Sequence, residues 1–456
     1  MAKNKYDYEV IVIGSGAAGS VAAETLARQG KKVAIIEQDE FGGSAPINSE
    51  LPMQAMLGVA HSFDEARRAS VFGLRVNTIS YNYPSISAWK DTVVKRSGAA
   101  KLAEHLKNLG VDIFRGRAHF LSSNEISIAR RRITSDKFII CTGSRTIIPG
   151  IAGLDSVDYL TPESALNLLR PPKSIFIVGA GRTGVQLAEL FSIFGSKVYL
   201  ADAKKRILSR EDDEISELSN SIMTRIRGAV VMTSTRVITV KNEGPAVRVG
   251  FLMGEHEKTI KVDKIILAVG SSPSVDIGLE NTGVDFDVNG VKTDEYLMTS
   301  SQNIFAAGDV LGHHMEAEAA IYEGKIAALN IVKKAKTAVN YNVIPRVIWT
   351  NPEIASVGAT ESDLVRQDMD FKRSIAQNSM ITRSNLTNFG VGFTKILTDN
   401  KGRLLGVTIA APHAGESINA AAVAIYAGMT ADNLAESVPS YGSWGDAVRL
   451  AAAKLK

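Results

Sequence analysis

Cysteine is almost missing from this chain: Cys141 is the single one in 456 residues. Disulfide exchange needs one thiol to attack and another to resolve, so an internal redox disulfide is excluded. Cys141 closes the apolar run Phe138-Ile139-Ile140 ahead of Thr142-Gly143. That is the setting of a small core residue, with a reactive thiol as the other reading. Long apolar runs are missing too. The longest, around Ile418 to Met429, falls short of the roughly 20 residues that cross a bilayer and reads as a buried helix. The first apolar run, Val10 to Ile13, is too short for a secretory leader and leads straight into glycines. The expectation is a soluble, cytoplasmic chain with no stable membrane insertion. Charge of one sign is not concentrated either, with 52 basic and 48 acidic residues. The clusters Arg130-Arg131-Arg132 and Lys204-Lys205-Arg206 are short and scattered, so no nucleic-acid partner is expected. No metal site is expected. What remains is a globular composition, 45% hydrophobic and 22% charged with 38 glycines, enough for about three domains at roughly 150 residues each.

The glycines are organised. Residues 8–13 form a β-rich run, as a buried parallel strand should. Gly14, Gly16 and Gly19 follow at G-x-G-x-x-G spacing, and a helical pattern runs to about Gln29. A second β run, Val33–Ile36, ends on Glu37. In such a unit the first glycine permits a tight turn and the second lets backbone approach a pyrophosphate. The third lets helix and strand pack closely, and the helix N-terminus faces the phosphates. The acidic residue accepts from ribose hydroxyls. The device recurs with strand Ile175–Val178, glycines Gly179, Gly181 and Gly184, a helix from about Arg182 to Phe194, strand Lys197–Ala201 and Asp202. Each acid stands 18 residues after its last glycine. Two such units imply two dinucleotides on one chain, and the usual pair is FAD with NAD(P). Asp202 argues for NADH, because a carboxylate repels the 2′-phosphate of NADPH. Lys204, Lys205 and Arg206 argue for NADPH, which a nearby cation accommodates.

Further motifs follow in order: Gly42-Gly43; Thr142-Gly143-Ser144-Arg145 with Pro149; Ala268-Val269-Gly270 with Pro273; Ile304-Phe305-Ala306-Ala307-Gly308-Asp309; Ile344-Pro345; and Asn351-Pro352-Glu353-Ile354-Ala355-Ser356-Val357-Gly358. Over nearly its whole length the chain resembles the pyridine nucleotide–disulfide oxidoreductase family, the group of lipoamide dehydrogenase, glutathione reductase and mercuric reductase. The resemblance implies an α/β fold of two Rossmann-like dinucleotide-binding domains, for FAD and NAD, plus a C-terminal α+β dimerisation domain. Residues 1–150 and 271–340 would form the FAD domain, 151–270 the NAD(P) domain and 341–456 the interface of a homodimer. Besides the two glycine motifs with Glu37 and Asp202, the implied cofactor contacts include Gly43, Ser44, Thr142, Gly143 and Arg145. Gln186, Gly270, Gly308, Asp309 and Ala317 complete that set, with Asp309 holding the ribityl chain.

The family's reactive positions are changed. Where it carries two cysteines five positions apart, this chain has Ala45 and Glu50, and Pro52 keeps the register. The family's lysine position is Gln54, and its glutamate partner, two residues past the last glycine of the NAD motif, is Gln186. Losing both charges avoids leaving one unpaired; the two amides can bond each other or the nicotinamide carboxamide. The C-terminal His-Pro-Thr run is here Val438-Pro439-Ser440-Tyr441, followed by Asp446. Tyr441 or Val438 takes the histidine's place, depending on which anchor is aligned, and no histidine lies beyond His413. Glu318 stands where many relatives have histidine.

Hydride transfer from NADH to flavin needs only the two cofactors correctly positioned, and survives these changes; dithiol reduction does not. The expected function is an FAD-dependent NAD(P)H oxidoreductase that passes electrons directly to a small acceptor such as a quinone, similar to the family's disulfide-free quinone reductases. Glu50 is read as a proton donor or acceptor beside the flavin, or as a carboxylate satisfied by backbone N–H groups or Asn48. Tyr441 and Trp444 would stack on the acceptor or pack an interface. Asp446 would be a catalytic acid, or the cap of a helix from Ala447 to Lys454. The alternatives are an NADH oxidase, a transhydrogenase, or a nucleotide-binding sensor or scaffold without turnover.

Overall fold

The apolar runs form parallel strands because a strand rich in Val and Ile can be buried on both faces. In the computed structural model, which describes residues 5–455, Tyr8–Ile13 pairs with Val33–Glu37, Val10 opposite Val33 and Ile13 opposite Ile36. Residues 1–4 and 456, which the expected domain limits include, lie outside the described residues.

The chain divides into two units. One contains the chain up to Ala55, Ala88–Ile147 and Gly270–Val339; the other contains Met56–Ser87, Ile148–Val269 and the chain from Asn340 on. The first is built on five parallel strands in the order Asp112–Arg115, Val33–Glu37, Tyr8–Ile13, Arg131–Ile140 and Ile304–Ala306. The start of Arg131–Ile140 pairs instead in an antiparallel meander with Glu125–Ile128 and Ala118–Ser122. Two helices, Ala17–Arg28 and Ala317–Val332, cross very closely. A Cβ on Gly324 would stand 2.2 Å from the Ala18 carbonyl oxygen, so only glycine permits that approach.

The second unit holds a four-stranded parallel sheet in the order Val230–Met232, Lys197–Ala201, Ser174–Val178 and Lys264–Leu267. An antiparallel meander, Thr235–Glu243, Ala246–Met253 and His256–Val262, accompanies it. Its C-terminal part is a five-stranded antiparallel sheet in the order Arg346–Ile348, Glu353–Gly358, Leu404–Ala411, Phe393–Thr398 and Lys372–Gln377. Helices Ala414–Tyr426 and Asp446–Ala453 supply Ile418, Ala421, Val448 and Ala451 to its core. This is the α/β architecture of two dinucleotide-type sheets and a C-terminal α+β domain.

Residues 56–87 group with the second unit. Their ties are long-range: Tyr81 donates through its hydroxyl to the Phe194 carbonyl at 2.7 Å, and Asp64 accepts from Arg227. Phe63, Tyr81 and Tyr83 all set their rings against Phe194. The apolar run read as a buried helix is buried on one face only, since Val423 is 66% and Tyr426 76% exposed. Among the described residues no helix is long and apolar enough to cross a membrane.

Candidate functional site

Each glycine loop separates space the fold needs from space it leaves open. In the first unit Gly14 has φ +103° and donates to the Ile36 carbonyl at 2.8 Å; a Cβ there would lie 2.1 Å from the Cys141 oxygen. A Cβ on Gly19 would lie 1.9 Å from the Gly14 oxygen. Gly16 is different: its φ is −65°, and a Cβ would meet no other protein atom closer than 3.9 Å. Nothing in the fold demands glycine there, in front of the N-terminus of Ala17–Arg28. Gly43, at φ +74°, completes the wall, 2.5 Å from Gly16 Cα for any added Cβ. Glu37 braces the loop. One carboxylate oxygen accepts from the Ser15 N–H at 2.9 Å and its hydroxyl at 2.8 Å, and the other accepts from the Asp39 N–H at 2.8 Å.

The second unit repeats this geometry. Gly179 has φ +103° and a Cβ would lie 2.3 Å from the Ala268 oxygen; on Gly184 it would lie 1.9 Å from the Gly179 oxygen. On Gly181 it would meet nothing within 4 Å. Asp202 accepts from the Ala180 N–H at 2.7 Å and the Lys204 N–H at 2.8 Å. A carboxylate offers about four acceptor positions, so Glu37 and Asp202 retain capacity for a ribose hydroxyl. Of the basic run, Arg206 is ion-paired with Asp213, while Lys204 and Lys205 are exposed. Both cradles fit a pyrophosphate, with an open middle position, helix N–H groups behind it and a braced carboxylate beside it.

The remaining FAD-motif residues converge within the first unit. Ser144–Thr146 pairs with Ser271–Pro273, and the Ser144 hydroxyl donates to Asp309 at 2.7 Å. Thr142 donates through its hydroxyl to the Ser274 carbonyl at 2.7 Å, and the Ser274 N–H donates to Gly143 at 2.9 Å. Gly270 accepts from the Ile147 N–H at 2.9 Å, so the outgoing and returning motifs are joined side by side. Arg145 is exposed, and Ala317 opens the helix Ala317–Val332. Sequence reading missed Glu323, fully buried, which accepts from the Gly308 N–H at 2.6 Å. Its only signal was a carboxylate on the buried side of an apolar helix. Burial, and then the Glu323 charge, push the Cys141 thiol far up, so it is an inert core residue.

The reactive candidates lie apart in the chain. Ser44 opens the short helix Ser44–Ile47, and its hydroxyl is 3.3 Å from that of Ser49. Glu50 is half-buried in the first turn of Glu50–Arg68, where the helix dipole favours a carboxylate, and Asn48 is exposed. Gln186 is buried and its carbonyl accepts from the Trp349 N–H at 2.8 Å, so that oxygen is committed to the backbone. Tyr441 is 96% exposed, whereas Trp444 is buried and meets Phe389 edge-on. Trp444 therefore belongs to the core and is not available to stack on an acceptor. Asp446 is not a cap: Gly445 takes that position, and the Asp446 carboxylate accepts from Arg449 at 2.8 Å. Among the described residues no group of His, Cys, Asp or Glu is placed to hold a metal ion.

The model of the pyridine nucleotide-disulphide oxidoreductase family matches residues 8–324, and the model of that family's dimerisation domain matches residues 344–452. The chain is 31% identical to mercuric reductase of Staphylococcus aureus over 98% of its own length and 82% of that protein. To dihydrolipoyl dehydrogenase of Bacillus subtilis it is 30% identical, over 96% of this chain and 94% of the relative. Among solved structures, LpdA from Mycobacterium tuberculosis superposes with a TM-score of 0.89 at 25% identity, covering 98% of this chain and all of that one. The HOCl-induced flavoprotein disulfide reductase RclA from Escherichia coli does so at 0.86, also at 25% identity, covering 98% of this chain and all of that one. With its paired glycine cradles and this end-to-end likeness, the chain belongs to the pyridine nucleotide-disulphide oxidoreductase family.

Proposed function

We propose that the protein is an FAD-dependent NADH oxidoreductase that reduces a small acceptor, such as a quinone, without a redox disulfide. The observation that carries the reading is the pairing of two complete, braced dinucleotide cradles with a single cysteine that is buried and inert. FAD, when bound, supplies the two-electron relay between NADH and acceptor: a hydride leaves NADH, and two electrons with two protons convert a quinone to its hydroquinone. The chain's own contribution is placement. Gly14, Gly16, Gly19, Glu37, Gly43 and Asp309 would hold FAD, and Gly179, Gly181, Gly184 and Asp202 would hold NADH. Asp202 disfavours a 2′-phosphate, and the Arg206 guanidinium that would attract one is engaged by Asp213. Glu50, in the position of a family thiol, is the proposed proton donor to the reduced acceptor.

The C-terminal domain is proposed to form a homodimer. The match to the dimerisation-domain model supports this, as do Val423, Tyr426, Val438 and Tyr441, whose side chains stand 66–96% exposed. Anaerobic mixing of the yellow protein with NADH, then with NADPH, tests the activity through the flavin's visible absorbance. Bleaching by NADH and fast recovery on adding a quinone is the expected result. A flavin that neither nucleotide bleaches within minutes overturns the reading in favour of a nucleotide-binding scaffold.

A further inference from the structure

Positions 54 and 186, which carry lysine and glutamate in the family pattern, are both glutamine here, yet the nucleotide helix still carries a buried carboxylate. Glu189 lies one turn beyond Gln186 on Arg182–Ile193 and is fully buried. Its partner is Arg227, 4% exposed, which donates to Glu189 at 2.5 Å and to Asp64 at 2.7 Å. Arg227 follows a π-helical turn, Ile222–Ile226, a wide turn that often marks a functional position.

The same helix face also grips a backbone segment. The Trp349 N–H donates to Gln186 at 2.8 Å, and the Asn351 N–H donates to both Glu189 oxygens at 3.1 and 3.3 Å. Around Glu189 stand Arg227, Asp64, Arg68 and His61, whose Nε2 is 3.7 Å from the carboxylate. Burial, and then Arg227, hold His61 down at about 4, so it is neutral near pH 7. Two carboxylates thus face two guanidinium groups and one neutral ring.

We propose that the missing ion pair has been relocated one helical turn along, to Glu189 and Arg227, and that Gln186 and Glu189 are positioning residues. Together they fix segment 349–351 on the nucleotide helix while leaving position 186, nearer the glycine loop, uncharged. Three residues are about 4.5 Å of helix axis at about 1.5 Å each, so the negative charge moves about that far from the Gly179–Gly184 cradle. The inference rests on the reductase reading only through nucleotide binding.

The test is the NADH dissociation constant, measured by NADH fluorescence between pH 6.5 and 9 on the intact flavoprotein. Arg227→Gln leaves Glu189 buried without its cation, so Glu189 stays protonated at the low end and ionises, unpaired, at the high end. Affinity is expected near wild type at pH 6.5 and at least tenfold weaker at pH 9. Arg227→Gln/Glu189→Gln, with no buried charge left alone on this helix, is expected to show no such slope. A flat, wild-type-like profile for Arg227→Gln, with only its thermal stability reduced, would show a purely structural pair and overturn the proposal. So would a slope retained in the double variant, or a wild-type protein that does not bind NADH. A wild type that binds NADH without flavin bleaching sinks the reductase reading alone, because this readout needs no turnover.

Discussion

Replacing Gly181 by alanine adds one methyl group to a place that no other protein atom approaches within 4 Å. The backbone there, φ −75° and ψ −173°, is open to any residue. Losing glycine at the helix cap costs up to about 1 kcal/mol, and the stiffer unfolded chain returns about 0.4–1 kcal/mol. The folded protein should therefore keep its stability within about 1 kcal/mol. NADH should not be tolerated equally: a methyl where the pyrophosphate must approach is expected to weaken binding at least tenfold, about 1.4 kcal/mol. Gly184→Ala is the control, because its Cβ would stand 1.9 Å from the Gly179 oxygen. Helix and strand must then part, at a cost of roughly 1–3 kcal/mol or more. The assay pairs urea unfolding with NADH titration, and flavin content reports that the first cradle is intact. Unchanged NADH affinity in Gly181→Ala would refute the assignment of the second cradle. Gly184→Ala as stable as wild type would refute the steric reasoning.

Lys395, 1% exposed, meets Asp212, Glu214 and Glu361 at 2.7, 2.8 and 3.0 Å. Lys395→Met should cost about 3–5 kcal/mol in urea unfolding, because the buried Asp212 carboxylate loses its cation, and adding Asp212→Asn should recover part of it; a loss under 1 kcal/mol contradicts this. His61 titrates lower in the folded chain, at about 4 against 6.5 unfolded, so its contribution is full above pH 6.5 and is lost as pH falls toward 4, about 2 kcal/mol by pH 5. Glu189, raised by burial to about 7, acts in the opposite sense between 4.5 and 7. The His61 effect is therefore read as wild type minus His61→Phe at each pH, and a difference that does not change with pH removes it. Glu50→Gln should lower quinone turnover at least tenfold, within the usual range for general acid–base groups, and flatten its pH profile; unchanged turnover and profile make Glu50 structural.

Local pattern carried the reading furthest where one stretch of chain does a whole task. Strands Tyr8–Ile13 and Lys197–Ala201 lie where their apolar runs do, and the two glycine motifs form the same loop twice. Those features follow from periodicity and from backbone conformations only glycine adopts, and both are written within about 30 residues. Spacing could not show which glycines serve the fold and which serve a ligand. Gly14, Gly19, Gly179 and Gly184 are excluded from bearing a Cβ by backbone distant in sequence or one turn away, whereas Gly16 and Gly181 face open space.

The sequence by itself determined that a single cysteine leaves no internal dithiol and that the G-x-G-x-x-G unit with its acidic residue occurs twice. Only the tertiary structure decided that Trp444 belongs to a core, that Asp446 is held by Arg449, and that Glu323 closes the Gly308 turn. It alone joined Glu189 to Arg227 and Asp64, residues 38 and 163 positions from that arginine. Such pairs leave no periodic trace, because burial of a charge is decided by whatever the fold brings opposite it.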